Sequence, residues 1–226
     1  MPFAHGDPGE LIVDVGRGSC QRPPMSLVQR FLGHPWVFEH IRPLAVGGVD
    51  MSPAYELLHT DARSVVLDIG SGTGDALGHL RQFQSYLGLD TDPVALRHAR
   101  TRHARRQHVT FECRVTEPRD FQSSGVTHVC MIGLLHHLSD DETLGLLELV
   151  KSCPTLVRAV SLDIVYLPGR WYNNLLARFD RGRFCRTPAA YEALVERAGL
   201  TRESSRIVRS HPTRGLVDYF IMDLLP

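Results

Sequence analysis

The sequence lacks an excess of charge of either sign. Lysine plus arginine and aspartate plus glutamate each total 25, so the formal net charge is zero. A chain without a global field gains no long-range attraction to nucleic acid or to an anionic membrane surface. We therefore expect a small-molecule partner, and neither a nucleic acid nor a membrane.

Cysteine is scarce and scattered, and metal-ligand patterns are missing. The five cysteines form no CxxC pair, and their odd number does not suit a disulfide framework. The twelve histidines show neither HxxxH nor a His/Cys ligand spacing on one element, so we predict no metal site. Reduced thiols are typical of a cytoplasmic protein.

Long apolar runs are absent as well, although 43% of the residues are hydrophobic. No stretch reaches the roughly 20 apolar residues of a membrane-spanning helix. The first residues, MPFAHGDPGELIVDV, contain no basic leader. We expect an unexported, cytoplasmic protein with one substantial core.

The pattern of the chain changes near residue 60. Residues 1–60 are predicted to form a loosely ordered leader and a cap of two or three short helices, the last with Ser52 as N-cap and Pro53 at its first position. After Thr60, strand and helix patterns alternate through 61–226, which predicts right-handed crossovers and a mostly parallel sheet. Strands are predicted near 64–69, 85–90, 109–114, 127–132, 156–165, 203–209 and 216–223, and helices near 74–83, 93–106, 140–151 and 188–198. Because only SHPTRG joins the last two strands, the final strand should be antiparallel.

A glycine-rich loop follows the first predicted strand, in VVLDIGSGTGDALGHL at 65–80. Its glycines alternate as GxGxG, and Leu77 stands where the dinucleotide pattern GxGxxG requires the third glycine. Asp68 lies inside the strand, where its carboxylate would repel a diphosphate and favour a cation. The second strand ends in GLDTDP, and an acid at that strand end, Asp90, suits the two hydroxyls of a ribose. Together the two motifs predict a positively charged nucleoside without phosphates.

VLDIGSGTG followed by GLDTDP resembles the motif pair of the class I S-adenosylmethionine-dependent methyltransferases, over about residues 60–226. The resemblance implies an α/β fold: a Rossmann-like, doubly wound, mostly parallel seven-stranded sheet with an antiparallel last strand, preceded by the N-terminal helices. It also implies S-adenosyl-L-methionine as cofactor. The residues implied to hold that cofactor are Asp68, Gly70, Ser71, Gly72, Gly74, Asp90, Thr91, Thr116 and Leu134.

Two positions near these cofactor residues have different expected roles. Asp92 is expected to cap the helix that opens at Pro93 rather than to bind ribose. Val115 stands where many relatives carry the acid that binds the adenine amine, so Thr116 or backbone groups are expected to replace it.

The fourth strand ends in GLLHHL, a run that in the resemblance passes under the methyl group. His136 or His137 is a candidate general base, since imidazole titrates near neutrality. The alternative stays open: one histidine packs or bonds backbone at the strand end while the other is exposed. Tyr172 is the third candidate catalytic residue.

Substrate contacts are expected from the N-terminal helices, through Trp36, and from an insertion at about 166–187. The insertion offers Arg170, Trp171 and Asn173 as substrate contacts, with aromatic walls for a small ligand. Its arginines are suited to a carboxylate or a phosphate. The same residues would equally serve to seat an extra helix on the core. The arginines are Arg170, Arg178, Arg181, Arg183 and Arg186.

The resemblance implies methyl transfer from S-adenosylmethionine to an O, N or C atom of a small molecule. Three alternatives remain open: a lyase or cyclase that releases methylthioadenosine, a non-catalytic nucleoside-binding module, and an RNA methyltransferase. The basic segment ALRHARTRHARRQH favours the last, but with zero net charge a solvated helix face is the preferred interpretation. The acceptor and the oligomeric state are not predicted.

Overall fold

The computed structural model describes residues 50–122, 125–179, 182–210 and 216–226. The helices of these ranges are α1 (Ser52–Glu56), α2 (Pro93–Arg102), α3 (Arg119–Gln122), α4 (Asp140–Lys151), α5 (Trp171–Phe179) and α6 (Pro188–Arg197). The strands are β1 (Val65–Ile69), β2 (Ser85–Asp90), β3 (Val109–Cys113), β4 (His128–Ile132), β5 (Arg158–Ile164), β6 (Thr201–Arg209) and β7 (Asp218–Leu225). Two 3₁₀ turns lie at Asp75–Gly78 and Leu135–His137.

The strands form one sheet in the order β3-β2-β1-β4-β5-β7-β6. Strands β1 to β5 are parallel to one another, and β7 is antiparallel to both β5 and β6. The predicted doubly wound fold is therefore confirmed, including its reversed last strand. The strand order changes direction between β1 and β4, and in such sheets ligands bind beyond the carboxyl ends of the strands at that point.

Apolar side chains cover both faces of the sheet. In β1, Leu67 joins a core with Met131 and Leu147 on one face, while Val66 joins Tyr86 and others on the opposite face. Burial of each large side chain contributes about 1.5–3 kcal/mol. This double burial explains why the strand patterns are nearly continuous apolar runs rather than alternating ones.

The N-terminal ends of α2 and α4 are fixed by side-chain caps. Asp92 accepts hydrogen bonds from the backbone N–H groups of Val94 and Ala95, at 2.8 and 3.3 Å, and so caps α2 as predicted. Ser139 and Glu142 form a reciprocal capping box at the start of α4. The first helix begins at Ser52 with Met51 as its N-cap, one residue earlier than predicted.

The prediction of a helix over 74–83 is wrong, because only the 3₁₀ turn Asp75–Gly78 forms there. Its N-cap is Gly74, which has no side chain to satisfy the first N–H groups, and Gly78 weakens the next turn. Helix α5, in contrast, was expected only as a possible extra helix of the insertion. The helices predicted before residue 50 lie outside the described residues.

Two kinds of feature are absent from the described ranges. None of their helices combines the length and the hydropathy of a membrane span. Within the same ranges, no three His, Cys, Asp or Glu side chains cluster as a metal ion would require.

Candidate functional site

The loop after β1 turns tightly beneath an open space. Gly70, Gly72 and Gly74 have φ values of 76°, 52° and 74°, in the left-handed region that favours glycine. The backbone N–H groups of Gly70 and Ser71 donate to the Leu89 carbonyl at 2.8 and 3.0 Å, which ties the loop to β2. Among the described residues, no atom beyond the two chain neighbours of Gly72 lies within 4 Å of the place where its side chain would stand. The loop therefore leaves room for a ligand above Gly72.

Asp90 at the end of β2 is oriented by two backbone groups. Its Oδ2 accepts from the Gly72 N–H at 2.8 Å, and its Oδ1 accepts from the Asp92 N–H at 2.8 Å. Each carboxylate oxygen has a second acceptor site. A vicinal diol, which presents two adjacent hydroxyl donors, matches these two remaining sites.

Asp68 is buried in β1, with 3% of its surface exposed. Burial raises the pKa of its carboxyl to about 7, although a hydrogen bond from the Tyr86 hydroxyl at 2.5 Å acts in the opposite direction. The nearby Asp90 carboxylate raises the pKa further. A cation bound beside Asp68 would favour its ionised form.

Two buried hydroxyls among the predicted cofactor residues have no hydrogen-bond partner within the part of the chain that the structure describes. Ser71 Oγ and Thr116 Oγ1 are both inaccessible and form no hydrogen bond. Buried polar atoms are nearly always bonded, so their state fits a site that a polar ligand completes. Beneath Ser71 lies Gly88, where a side-chain carbon would stand 2.8 Å from Ser71 Oγ. Sequence reasoning missed Gly88, although an isolated glycine inside a strand signals a close approach.

The remaining predicted cofactor residues surround this loop. Thr91 is exposed directly after Asp90. Leu134 lies over the loop, with its Cδ1 3.2 Å from the place where a Gly70 side chain would begin. Val115 is 64% exposed, and the neighbouring Arg114 forms a bidentate pair with Asp120 at 2.7 Å.

The two histidines after β4 have different environments. His136 is 4% exposed, and both its backbone N–H and its ring Nδ1 bond to Asp163 Oδ1, at 3.1 and 2.7 Å. His137 is exposed, with its ring 4.2 Å from that of His136. Burial raises the pKa of Asp163, an effect that the His136 contacts oppose. Sequence reasoning missed Asp163; its signal is a lone acid within the apolar run SLDIV.

The 182–186 part of the insertion packs against the histidine turn. The Phe184 N–H donates to the His136 carbonyl at 3.0 Å, and Gly182 is so close to the imidazole that a side chain there would meet it at 2.0 Å. Arg186 donates to the carbonyls of Leu135 and Leu138 at 2.9 and 2.7 Å. Arg186 therefore supports the fold of this turn.

Four of the predicted site residues come together at the start of α5. Arg170 forms a bidentate pair with Asp218 at 2.8 and 3.2 Å, and Asn173, only 2% exposed, bonds the backbone of Val165 and Asp218. Trp171 is 74% exposed and packs edge-on against Tyr172. They line a cavity of about 250 Å³, whose walls are Gly169, Arg170, Trp171, Tyr172, Asn173, Arg209 and Leu216. Trp36 lies outside the described residues.

Comparisons with known proteins agree with this geometry. Residues 66–153 match a family model described as a methyltransferase domain. No curated protein matches the chain. Among solved structures, a cyclopropane synthase of Mycobacterium tuberculosis has a TM-score of 0.63 at 14% identity, over 78% of this chain and 82% of that chain.

Two further structures have the same fold. A Haloferax volcanii protein, solved in complex with the Trm112 methyltransferase activator, has a TM-score of 0.63 at 15% identity, over 90% of this chain and 99% of that chain. A geranyl diphosphate methyltransferase, solved with geranyl diphosphate and sinefungin, has a TM-score of 0.57 at 13% identity, over 76% and 74%. At such identities the likeness is one of fold.

The family match extends from β1 to the residues just after α4, and so contains the glycine loop, Asp90 and the histidine turn. These are the segments on which the sequence resemblance depends, and they lie at the carboxyl edge where the strand order changes direction. The resemblance to the S-adenosylmethionine-dependent methyltransferases is confirmed for these segments: residues 66–153 match a methyltransferase domain, and the cofactor of this resemblance is S-adenosylmethionine.

Proposed function

We propose that this protein transfers a methyl group from S-adenosylmethionine to an O, N or C atom of a small molecule. The observation that carries the proposal is the pairing of Gly72 with Asp90 at 2.8 Å beneath an open space. It joins a loop suited to close backbone approach with an acid suited to a ribose. The geranyl diphosphate methyltransferase among the structural neighbours is named for a small-molecule substrate.

The proposed cradle assigns a part of the cofactor to each predicted residue. Asp68, with the loop at 70–74, faces the cationic methionine end, and Asp90 with Thr91 holds the ribose. Thr116 and Leu134 border the adenine, which leaves the exposed Val115 without a polar role. When bound, the cofactor supplies a methyl carbon made electrophilic by a sulfonium.

The chain's own task is to align the acceptor, exclude water and accept a proton. His136 is the proposed base. The bond from Nδ1 to Asp163 fixes the imidazole in one orientation, and in the tautomer whose Nδ1–H donates to that carboxylate, Nε2 is the basic ring atom. Nε2 would accept the proton that the acceptor loses on methylation, with the neutral thioether as the leaving group.

The other predicted site residues keep proposed roles around the acceptor. His137 and Tyr172 are the remaining catalytic candidates, and Arg170, Trp171 and Asn173 belong to the acceptor side. Trp36 is proposed to join them from the N-terminal segment. In support, the Asp50 N–H donates to the Ser210 carbonyl at 2.8 Å. Residue 50, the first described residue, therefore lies beside the neighbour of Arg209, which lines the cavity.

The test is product analysis after incubation of the full chain with S-adenosylmethionine, with and without a small-molecule extract. We expect S-adenosylhomocysteine only when extract is present, and none from Asp90→Ala. Asp92→Asn is the matched control, since Asn also caps a helix and Asp92 lies outside the proposed cradle. Methylthioadenosine formed without extract, or cofactor binding with no product under any condition, would contradict the proposal.

A further inference from the structure

Two arginines that line the 250 Å³ cavity approach a single buried carboxylate, that of Asp218. Asp218 is buried at the start of β7 and accepts both hydrogen bonds of Arg170. Arg209, at the end of β6, approaches the same carboxylate only to 3.9 Å, which is beyond hydrogen-bond distance. Among the described residues, the cavity thus has one more positive charge than negative charge.

Arg209 presents its donors to the cavity. Its side chain is 55% exposed, and no other acid of the described residues pairs with it. A guanidinium offers five N–H donors in a planar fork that matches a carboxylate or a phosphate. An anion in the cavity would therefore find a cation whose hydrogen bonds are not already used.

The rim of the same cavity is apolar. Trp171 is 74% exposed and Leu216 is 46% exposed, and both line the cavity. Leu175, four residues after Trp171 on the same face of α5, is 42% exposed. Large apolar side chains grouped at a concave surface mark a binding site more often than scattered ones do. The surface thus suits a ligand that has both an apolar body and an anionic group.

The size and the place of the cavity limit that ligand. An apolar cavity of about 150 Å³ holds benzene, so 250 Å³ accommodates one or two fused aromatic rings with an acid group. The cavity lies beside β7, at the edge of the sheet formed by the carboxyl ends of the parallel strands. Strand β7 is two strand spacings from β4, and the histidine turn follows β4 in the chain. At roughly 4.8 Å per strand, that separation is roughly 10 Å.

We propose that the methyl acceptor is an amphipathic acid, whose carboxylate or phosphate binds Arg209 and whose apolar body packs on Trp171 and Leu216. The inference rests on the proposed function and names its substrate class. Arg209 ends β6, three strand spacings from β4, so at roughly 4.8 Å per spacing the anionic group lies on the order of 15 Å along the sheet from β4. Sequence reasoning noted the insertion's arginines but missed Arg209, which a different element brings to them.

The test is calorimetric titration of 2-naphthoate, 2-naphthyl phosphate and uncharged 2-naphthamide into the full chain saturated with S-adenosylhomocysteine. We expect at least one acid to bind about tenfold more tightly than the amide, as one charge-assisted pair provides. Which acid binds more tightly distinguishes a carboxylate acceptor from a phosphate acceptor. Arg209→Gln should remove the preference, and Arg209→Lys should retain part of it.

Arg106→Gln is the matched control, because Arg106 is an exposed arginine that lines a separate hollow at the amino ends of the strands. It should leave the preference unchanged. Equal binding of acids and amide, or a preference that survives Arg209→Gln, would overturn the inference. So would binding to phosphatidylglycerol vesicles through Trp171 without discrimination among the naphthyl probes, since the surface would then face lipid.

The two proposals fail in different ways. Arg209→Gln should leave the affinity for S-adenosylhomocysteine unchanged, whereas Asp90→Ala should reduce it. If the full chain forms no S-adenosylhomocysteine with any extract, the proposed function fails while the acid preference stands. If turnover occurs with neutral acceptors only, the substrate class fails while methyl transfer stands.

Discussion

The burial of Asp68 opposes the ionisation that its proposed role in binding requires. Its carboxylate has to ionise to attract a cation, yet it is buried and its pKa lies near 7. Below about pH 4 the carboxyl is protonated in the folded and the unfolded chain, so its burial does not oppose folding. As pH rises to about 7, the carboxyl ionises in the unfolded chain only, and the free energy of unfolding therefore decreases. The difference between its ordinary pKa of 3.8 and about 7 corresponds to a loss on the order of 4 kcal/mol. The cofactor-free protein therefore keeps a destabilising acid at neutral pH.

Substitution of this acid separates stability from binding. Asp68→Asn keeps an acceptor for the Tyr86 hydroxyl and cannot ionise, so we expect the free energy of unfolding to rise by a few kcal/mol at pH 8. At pH 5 the folded-state carboxyl is protonated but the unfolded one is already ionised, so the difference should shrink to about 1.6 kcal/mol. Urea unfolding at both pH values measures this, with Asp92→Asn as an exposed control. An equal difference at the two pH values would contradict the assigned pKa.

Gly88 supports the cofactor loop from below. Gly88→Ala would bring a carbon within 2.7 Å of the Phe111 ring and 2.8 Å of Ser71 Oγ. We expect a loss of about 1–3 kcal/mol in stability, as for other overpacked cores, and weaker S-adenosylhomocysteine binding because Ser71 must move. Gly78→Ala is the matched control, since no atom lies within 4 Å of its added carbon. Thermal unfolding and calorimetry measure the two effects, and equal behaviour of the two variants would refute the assignment.

At the scale of elements, the sequence predicted those features of the fold that depend on interactions between residues close together in the chain. Strand β2 begins and ends at the predicted residues, and the reversal of β7 follows from the short SHPTRG link. Asp68, Gly72 and Asp90 were found because their motifs are contiguous. Asp163 and Arg209 were missed because their roles come from partners on other elements: Asp163 bonds a histidine 27 residues away. No short window of sequence contains that information.

The turn at Leu135–His137 depends on one such distant contact, Arg186. Arg186→Met would leave the carbonyls of Leu135 and Leu138 without their donors, at a cost of about 3 kcal/mol. The same turn holds His136, so we expect kcat to fall while S-adenosylhomocysteine affinity changes little. Arg183→Met, at an exposed position of the same segment, should change stability by no more than about 0.5 kcal/mol. A variant that unfolds as wild type does would show that Arg186 is dispensable.

At the scale of the whole molecule, one sheet edge brings together groups with opposite charge requirements. Acids lie at β1 and β2, where a cationic nucleoside is expected, and arginines lie at β6 and α5, on the proposed acceptor side. Three strands, β4, β5 and β7, separate the two ends. Zero net charge is therefore compatible with strong local fields, because the charges are sorted along the edge rather than balanced at each point.

We expect the affinity for the ligand to depend on pH, because a proton and the ligand's ammonium group compete for the Asp68 carboxylate. Below about pH 7 Asp68 is protonated in the free protein, and a ligand ammonium must displace that proton. S-adenosylhomocysteine affinity should therefore fall by up to about tenfold for each pH unit below 7 and level off above it. Calorimetry from pH 5.5 to 8.5 measures the affinity, and the measured heat in buffers of different ionisation enthalpy reports the released proton.

Asp68→Asn provides the decisive comparison, because it has no proton to release at this site. Its affinity should be lower than that of wild type at pH 8 and nearly independent of pH. At pH 8 saturating ligand should also stabilise wild type more than the variant, since binding offsets the cost of the buried carboxylate. A pH profile that persists unchanged in Asp68→Asn would place the titrating group elsewhere. The affinity and the stability of the cofactor-free protein thus move in opposite directions between pH 5.5 and 8 because both depend on one buried acid.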